Sequence, residues 1–366
     1  MKVGIITFHA SHNYGSMLQA YALQQTVLRL GHECEIINFR TEKQRCGYRP
    51  FWCDSHWKHM IKAFLYPILA IEDIRKHQLF ENFLYSKLIL SKQLYKNNED
   101  LKFYGLDYDA YISGSDQIWN TTCFDFETVY YLDFVRKGRK IAYSPSMGPI
   151  PFQEMNKKLY SQISKWLKEY DRISVREPTT AQIVKDIAGI KPVITLDPTL
   201  LLKEEDWSKI VDVQPFVNGK YILVYTPSIN KELCDEALDI ANKMDIPIIY
   251  TTHDAIRYYH QNHRFKFCLD VGPLEFLNLV KNASMVVSAS FHAVVFSLIF
   301  GVPFCAFKGM EDARVSNLLT MVGLEQLVEW QSGTDLKPLA DMVKNGYERI
   351  TDYRQSSLDF LRQSLS

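Results

Sequence analysis

Short runs of β-branched and aromatic residues alternate with longer stretches of helical periodicity along most of the 366 residues. The chain opens with the apolar run KVGIITF, the helical segment SMLQAYALQQTVLRL and a second apolar run, ECEIINF. We expect Ser16 to be the N-cap of that helix, because a small hydroxyl side chain favours this position. A strand, a helix and a strand in close succession predict a parallel pair, which needs such a crossover.

Two series of apolar runs follow this pattern. The first continues with YDAYISGSD, RKIAYSPS, YDRISVRE and KPVITLDP, and the second contains GKYILVYTPS, DIPIIYTT, MVVSAS and GVPFCAF. Each run ends in a polar or Gly/Pro-containing loop, and helical stretches separate the later runs. This alternation predicts an α/β protein with two doubly wound domains, whose strand carboxyl ends face each other across a cleft.

The predicted domain boundary is the charged, turn-rich stretch at about 205–218. We expect an N-terminal domain over 1–205 and a C-terminal domain over 218–345. A final helix over 346–366 can pack back on the N-terminal domain. A helical insert at about 55–100 either packs on its own domain or touches a lipid-linked substrate.

Composition narrows the class of protein. Forty-two basic and forty-two acidic residues give no net charge, so the chain lacks the overall basic character that typifies nucleic-acid binding. Seven scattered cysteines without a CxxC pair are typical of a reduced, cytosolic protein. Cys46, Cys53, His56 and His59 lack the paired short spacings of a zinc site, and we expect no metal. The longest apolar block, AFLYPILAI, is too short to span a bilayer.

Ligands of doubly wound domains bind at the carboxyl ends of the strands, so the loops that follow the strands are the candidate sites. The first loop offers the side chains of His9, Asn13 and Tyr14 but only one glycine, Gly15. A dinucleotide site would carry three closely spaced glycines. This loop therefore indicates a hydroxyl-rich ligand rather than a bare diphosphate.

The loop SGSDQIWN presents three more hydrogen-bonding side chains, those of Ser115, Asp116 and Gln117. Trp119 could stack on a sugar ring, or it could pack in the core while Asp116 caps a short helix. Asp197 precedes a proline and is expected to form a turn.

His292 is the strongest catalytic candidate, because it follows the strand MVVSA at the start of a helix that Gly301 ends. A helix N-terminus attracts anions, and an adjacent anion would keep the imidazole protonated as a general acid. Arg176 follows a strand and could bind carboxylate or phosphate oxygens, or it could pair with Glu177 or another nearby acid. Lys308 and Arg314 could add positive charge, or they could be solvated surface residues.

The sequence contains no GxSxG, HExxH, P-loop or glycine-triplet motif, which argues against a serine hydrolase, a zinc protease or a P-loop kinase. The loops of the two halves together suit a transferase that joins an anionic donor to a polyhydroxylated acceptor.

Five segments, in this order, resemble the polysaccharide pyruvyl transferase family: GIITFHASHNYGSMLQAYAL, YDAYISGSDQIWN, RISVREPTT, ITLDPTLLL and SASFHAVVFSLIFGVPF. The resemblance covers residue 2 to about 325. It implies a GT-B-like fold with two Rossmann-like domains. It also implies transfer of the enolpyruvyl group of phosphoenolpyruvate to two sugar hydroxyls, which forms a cyclic ketal.

The resemblance further implies roles for individual residues. His292 would be the acid, and Arg176, Ser290, Phe291, Lys308 and Arg314 would form the donor side. The acceptor side would contain His9, Asn13, Tyr14, Gly15, Ser115, Asp116 and Gln117. Several family members carry an arginine two residues before the histidine, where this sequence has Ser290, so Lys308 or Arg314 would have to replace that charge.

From these implications we expect a cytoplasmic enzyme that modifies a bacterial surface polysaccharide precursor and releases phosphate. The acceptor sugar would be lipid-linked or nucleotide-linked, and peripheral contact with the inner face of the membrane is compatible with the insert. Phosphoenolpyruvate would be a co-substrate, and neither a cofactor nor a nucleic-acid partner is expected. The alternatives are a GT-B glycosyltransferase that uses a nucleotide sugar and a non-catalytic glycan-binding subunit.

Overall fold

The first series of apolar runs forms a parallel sheet of six strands. The computed structural model describes residues 1–50, 67–148, 157–307, 313–327 and 336–366. The strands of this sheet are β1 (Lys2–Ile6), β2 (Glu33–Ile36), β3 (Ala110–Asp116), β4 (Arg139–Pro145), β5 (Arg172–Val175) and β6 (Val193–Ile194). Their order is β2-β1-β3-β4-β5-β6. The direction of strand succession reverses between β1 and β3, and such a reversal opens a crevice for ligands.

Six α-helices lie between these strands in the described chain: α1 (Tyr14–Arg29), α2 (Glu42–Gly47), α3 (Pro67–Lys87), α4 (Asn98–Phe103), α5 (Lys157–Leu167) and α6 (Pro178–Ala188). The predicted cap of α1 is wrong, because Asn13 and not Ser16 is its N-cap. The Asn13 side chain accepts hydrogen bonds from the backbone N–H groups of Gly15 and Ser16 at 2.9 and 3.3 Å. Ser16 therefore lies within the first turn, where its hydroxyl can bond elsewhere.

The second series forms a parallel sheet of five strands. These are β7 (Ile222–Tyr225), β8 (Ile248–Tyr250), β9 (Phe265–Phe267), β10 (Met285–Ser288) and β11 (Phe304–Ala306). Their order is β11-β10-β7-β8-β9, so the reversal falls between β7 and β10. Strand β9 was not predicted. Its sequence, Phe265–Lys266–Phe267, alternates between apolar and charged residues, but three residues are too few to distinguish a strand from a loop.

The helices that follow residue 203 in the described chain are α7 (Glu204–Ser208), α8 (Lys231–Met244), α9 (Ile256–Tyr259), α10 (Pro273–Asn282), α11 (Phe291–Phe300), α12 (Ala313–Val322) and α13 (Leu336–Leu365). Helix α11 ends at Gly301, whose φ of +66° lies in the left-handed region that favours glycine. The sequence predicts this end and the start of α10 at Pro273.

The chain divides into two units at positions that differ from the predicted bounds. The first unit contains Glu81–Leu202 and Asp352–Ser366 together with the N-terminal segment, and the second contains Lys203–Thr351. The stretch expected as a boundary is already part of the second unit, because Trp207 packs edge-on against Phe296 with ring centroids 4.9 Å apart.

The expected insert is also divided between the units. Helix α3 up to Phe80 belongs to the second unit. There Asp73 bonds the His253 ring at 2.7 Å, and Arg75 lies 3.6 Å from Asp270. These polar contacts, which are remote in sequence, explain why an apolar pattern alone could not assign this helix.

The last residues of α13 contribute to the core of the first unit. Leu361 and Leu365 are fully buried there. The Ser357 hydroxyl accepts a hydrogen bond from the Leu196 N–H at 3.0 Å, and Arg354 donates to the Leu200 carbonyl at 2.7 Å. Both contacts hold the segment that follows β6.

None of the helices in the described ranges is both long and apolar enough to cross a bilayer. Six of the seven cysteines lie in those ranges, and all six are free thiols. Cys53, His56 and His59 lie outside the described residues, as do residues 63–66 (AFLY) of the block AFLYPILAI.

Candidate active site

The loop between β1 and α1 lies at the strand reversal of the first sheet. Asn13 is exposed at its tip, whereas Tyr14 and Gly15 are buried within the first turn of α1. The side-chain oxygen of Asn13 caps the helix. The amide NH₂ group is therefore the part of this side chain that is directed away from the cap. Of these three predicted acceptor ligands, only Asn13 presents an exposed side chain.

His9 is a neutral, buried histidine at the start of the same loop. Its Nδ1 lies 3.1 Å from the Thr7 carbonyl oxygen, and its Nε2 lies 3.4 Å from the Asn38 side-chain oxygen. Burial lowers the pKa of His9 to about 4, although the Thr7 contact acts in the opposite direction. Its predicted part in acceptor binding stays a prediction.

Two acids that were not predicted from the sequence contact side chains of this loop. The Asp125 Oδ2 atom accepts hydrogen bonds from the hydroxyls of Ser11 and Tyr48, both at 2.5 Å. Burial raises the pKa of Asp125, although these two hydrogen bonds act against the shift. No motif in the sequence connects Asp125 to Ser11, because the two residues are 114 positions apart.

The second of these acids is Glu81 on α3. Its carboxylate receives two hydrogen bonds from the Arg40 guanidinium, at 2.7 and 3.0 Å, and lies 3.3 Å from the His12 ring. The His12 ring also stacks on Tyr48 at 5.1 Å. His77 precedes Glu81 by one helical turn, a spacing that can suit a metal, but both Glu81 oxygens already bind Arg40.

The end of β3 places the predicted residues Ser115 and Asp116, with Gln117 directly after them, at one edge of the sheet. Asp116 has a φ of +64°, and its carboxylate accepts the Ser16 hydroxyl at 2.5 Å and the Gln117 N–H at 2.8 Å. Ser115 is buried and donates to the Ser144 carbonyl at 3.1 Å. The edge therefore joins the first turn of α1 to the end of β3.

Trp119 packs in the core, which excludes the sugar-stacking alternative for this side chain. Its ring is fully buried and stacks on Tyr131 at 5.1 Å, and its N–H donates to the Tyr130 carbonyl at 3.1 Å. Gln117 is half-buried and accepts a hydrogen bond from the Asn120 amide at 2.7 Å.

Arg176 lies among three carboxylates of the first unit. Its Nη1 donates to Asp197 at 2.9 Å, its Nε lies 3.6 Å from Glu177, and its Nη2 lies 3.9 Å from Asp116. Only 3% of the Arg176 side chain is exposed. Asp197 caps the short turn after β6, as expected, by accepting the Thr199 N–H and hydroxyl at 3.0 and 2.7 Å. This geometry is the structural ion pair that the sequence kept open; donor binding by Arg176 stays a prediction.

The other donor-side residues that the structure describes lie together in the second unit, at the strand reversal between β7 and β10. Helix α11 starts with Phe291 and His292, and its N-cap, Ser290, makes no side-chain capping hydrogen bond. The His292 ring is buried and meets the Phe291 ring edge-on at 5.2 Å. The half-buried Arg314 also packs on Phe291, with its guanidinium carbon 5.8 Å from the ring centroid.

An imidazole and a guanidinium thus both contact one aromatic ring at the start of a helix. Such a helix start attracts anions through its N–H groups and its dipole. The Ser290 N–H is engaged with the Ser288 hydroxyl at 3.0 Å, which fixes the backbone that enters the helix. Lys308 lies outside the described residues.

The two parallel sheets give the protein a GT-B-like α/β fold. UDP-N-acetylglucosamine 2-epimerase from Rickettsia bellii matches with a TM-score of 0.51 and 10% identity over 99% of this chain and 98% of the epimerase. MnaA of S. aureus, solved with UDP, matches with a TM-score of 0.52 and 10% identity over 97% of this chain and 90% of that chain. No curated protein matches the sequence.

The family itself is identified by sequence. The model of the polysaccharide pyruvyl transferase family matches residues 13–308, and the chain belongs to that family. The matched region begins at the exposed Asn13 and contains β3, Arg176 and His292.

Proposed function

We propose that this protein transfers the enolpyruvyl group of phosphoenolpyruvate to two hydroxyls of a sugar. The product is a cyclic ketal on a bacterial surface polysaccharide precursor, and phosphate is released. The observation that carries the proposal is the placement of His292 and Arg314 against Phe291, at a helix start without a side-chain cap, in a chain of this family.

The chemistry of the donor suits these groups. Phosphoenolpyruvate carries a phosphate and a carboxylate, and both can be bound by helix N–H groups and by a guanidinium. Protonation of its methylene carbon creates an oxocarbenium-like centre that a sugar hydroxyl attacks. In the proposed role, His292 supplies this proton, and Arg314 compensates for the positive charge that Ser290 does not provide.

On the acceptor side, we assign the hydroxyl-binding role to the β1–α1 loop and to the turn after β3. Asn13 offers an exposed amide, and Gln117 offers a second one that is half-buried. Amide groups can both donate to and accept from sugar hydroxyls. A lipid-linked or nucleotide-linked sugar is the expected form of the acceptor, because either is a precursor of a surface polysaccharide.

The test is incubation with phosphoenolpyruvate and a panel of galactosyl, mannosyl and glucosyl acceptors, with phosphate release and the mass of the sugar as readouts. The proposal predicts phosphate release together with the mass gain of a ketal. Release of a nucleoside diphosphate from a nucleotide sugar would instead identify a glycosyltransferase. Glycan binding without either product would identify a binding subunit.

His292→Ala should abolish turnover and leave the fold intact. His260→Ala is the matched control, because His260 is an exposed histidine of the same unit at the end of α9. A folded His292→Ala protein that turns over at the rate of the control would remove His292 from the mechanism.

A further inference from the structure

The amides assigned above suit the hydroxyls of a sugar, whereas the C–H bonds on the face of a sugar ring suit the negatively polarised face of an aromatic ring. Trp119 was the residue that could provide such a face, but its ring packs in the core. An aromatic surface for the acceptor would therefore come from another residue of the first unit.

Five aromatic side chains are exposed in the described part of the first unit: Tyr85, Phe103, Tyr104, Phe124 and Tyr353. Phe124 is 46% exposed and follows β3 in the chain. The next residue, Asp125, accepts the hydroxyl of Ser11 in the β1–α1 loop at 2.5 Å. The exposed ring of Phe124 is thus linked to the loop that we assign to sugar binding.

Tyr48 provides a second link between Phe124 and the same loop. Its hydroxyl donates to the Asp125 carboxylate at 2.5 Å, and its ring meets the Phe124 ring edge-on at 6.1 Å. The Tyr48 ring also stacks on His12 at 5.1 Å, and His12 directly precedes the exposed Asn13. A row of three contacting rings therefore connects Phe124 to the residue that carries the exposed amide.

The Phe124 ring is held in place although it is exposed. The Lys43 ammonium lies over the ring, 4.6 Å from its centroid, and donates to the Phe124 carbonyl at 2.8 Å. Gly47, at the end of α2, lies against the far end of the ring, where a β-carbon would come within 2.6 Å of the ring Cζ. The φ of Gly47 is outside the left-handed region, so the close approach of the ring, and not the backbone, requires glycine here. A ring fixed in this way can bind a ligand with little loss of side-chain entropy.

We propose that Phe124 is the sugar-stacking residue of the acceptor site, an inference that rests on the proposed function. A sugar ring of the acceptor packs its C–H face on the exposed part of the Phe124 ring. All the contacts that carry this assignment lie within the first unit. The stacking binds the acceptor and makes no contact with phosphoenolpyruvate, so it contributes to the affinity for the acceptor alone.

The test measures kcat and the KM of each substrate for Phe124→Ala, Phe124→Leu and Gly47→Ala, with an acceptor that the wild-type protein modifies. Phe124→Ala should raise the acceptor KM by about 10-fold. The loss should appear in KM rather than in kcat, because stacking binds the substrate and the transition state alike, and the KM of phosphoenolpyruvate should not follow it. Phe124→Leu should lose as much, since leucine restores apolar bulk but not the aromatic face. Gly47→Ala keeps the ring but displaces it, and should raise the acceptor KM by a smaller factor.

Phe103→Ala is the matched control, because Phe103 is also an exposed phenylalanine of the first unit but precedes the amino end of β3. It should retain the wild-type KM values. Tyr85→Ala examines a second exposed ring, since Tyr85 lies one helical turn after Glu81, which contacts His12. The thermal unfolding temperature of every variant checks that it is folded.

A folded Phe124→Ala or Phe124→Leu protein with an acceptor KM within about 2-fold of wild type would overturn the role of Phe124. A rise in the acceptor KM of Tyr85→Ala or Phe103→Ala in place of Phe124→Ala would overturn it as well. In these cases the wild-type protein would still release phosphate and form the ketal. A wild-type protein that releases no phosphate with any acceptor would overturn the proposed function itself, and the assignment of Phe124 with it.

Discussion

Replacement of Arg176 with methionine would remove the positive charge that three acidic side chains share. The Arg176 and Asp197 side chains are 3% and 0% exposed, and their nearest polar atoms are 2.9 Å apart. Removal of one partner from a buried ion pair costs about 3–5 kcal/mol, because the other charge stays buried without compensation. Asp197 would keep its hydrogen bonds from Thr199, so we expect a loss at the lower end, about 3 kcal/mol. That is a large part of the stability of a typical domain.

Hydrogen exchange on peptides that cover β4 to β6, followed as a function of urea, reports on the first unit alone. Arg172→Met is the matched control, because Arg172 is exposed at the start of the same strand and should change stability by no more than about 0.5 kcal/mol. The double variant Arg176→Met/Asp197→Asn should recover part of the loss, since it removes the orphaned charge. If Arg176→Met exchanged like the control and only weakened phosphoenolpyruvate binding, Arg176 would be a donor ligand and the reasoning would be refuted.

Three further predictions concern stability. Burial raises the pKa of Glu81, but hydrogen bonds from His12 and Arg40 outweigh it and bring the pKa to about 2. The stability that ionised Glu81 contributes is therefore present above its usual pKa of 4.5 and is lost as pH falls toward 2. Glu81→Gln should make the thermal unfolding temperature depend less on pH in that range. Burial lowers the pKa of His9 from 6.5 to about 4, so stability should decline as pH falls between these values, and less steeply in His9→Gln. Gly301→Ala should lower the free energy of unfolding by about 1 kcal/mol in chemical denaturation, because only the φ of +66° opposes the new methyl group. A Glu81→Gln or His9→Gln protein with the pH dependence of wild type, or a Gly301→Ala protein with an unchanged denaturation midpoint, would contradict the corresponding argument.

The fold could be predicted from the sequence where the period of apolar residues is long enough to fix an element. The runs that became β1 and β7 are buried on both faces apart from Lys2, and continuous apolar sequence is typical of such strands. Strand β9 was missed because its central residue, Lys266, is exposed and the strand is only three residues long.

The candidate site could be predicted only as far as the positions of loops after strands. His292 and Asp116 follow from that rule, since Asp116 is the last residue of the parallel strand β3 and His292 comes four residues after the end of β10. Which acid pairs with which hydroxyl or cation depends on tertiary contacts: Arg176 had an adjacent acid, Glu177, but its shortest contact is with Asp197, 21 residues away. Trp119 likewise gave no local signal of whether it would face a ligand or the core.

The division of the chain has a consequence for biosynthesis. Residues 352–366 complete the first unit, yet the ribosome makes them only after all of 203–351. The site that accepts Leu361 and Leu365 must therefore remain uncovered while the second unit is translated. The nascent first unit would expose that apolar surface throughout the interval, and exposed apolar surface of this kind is what chaperones bind.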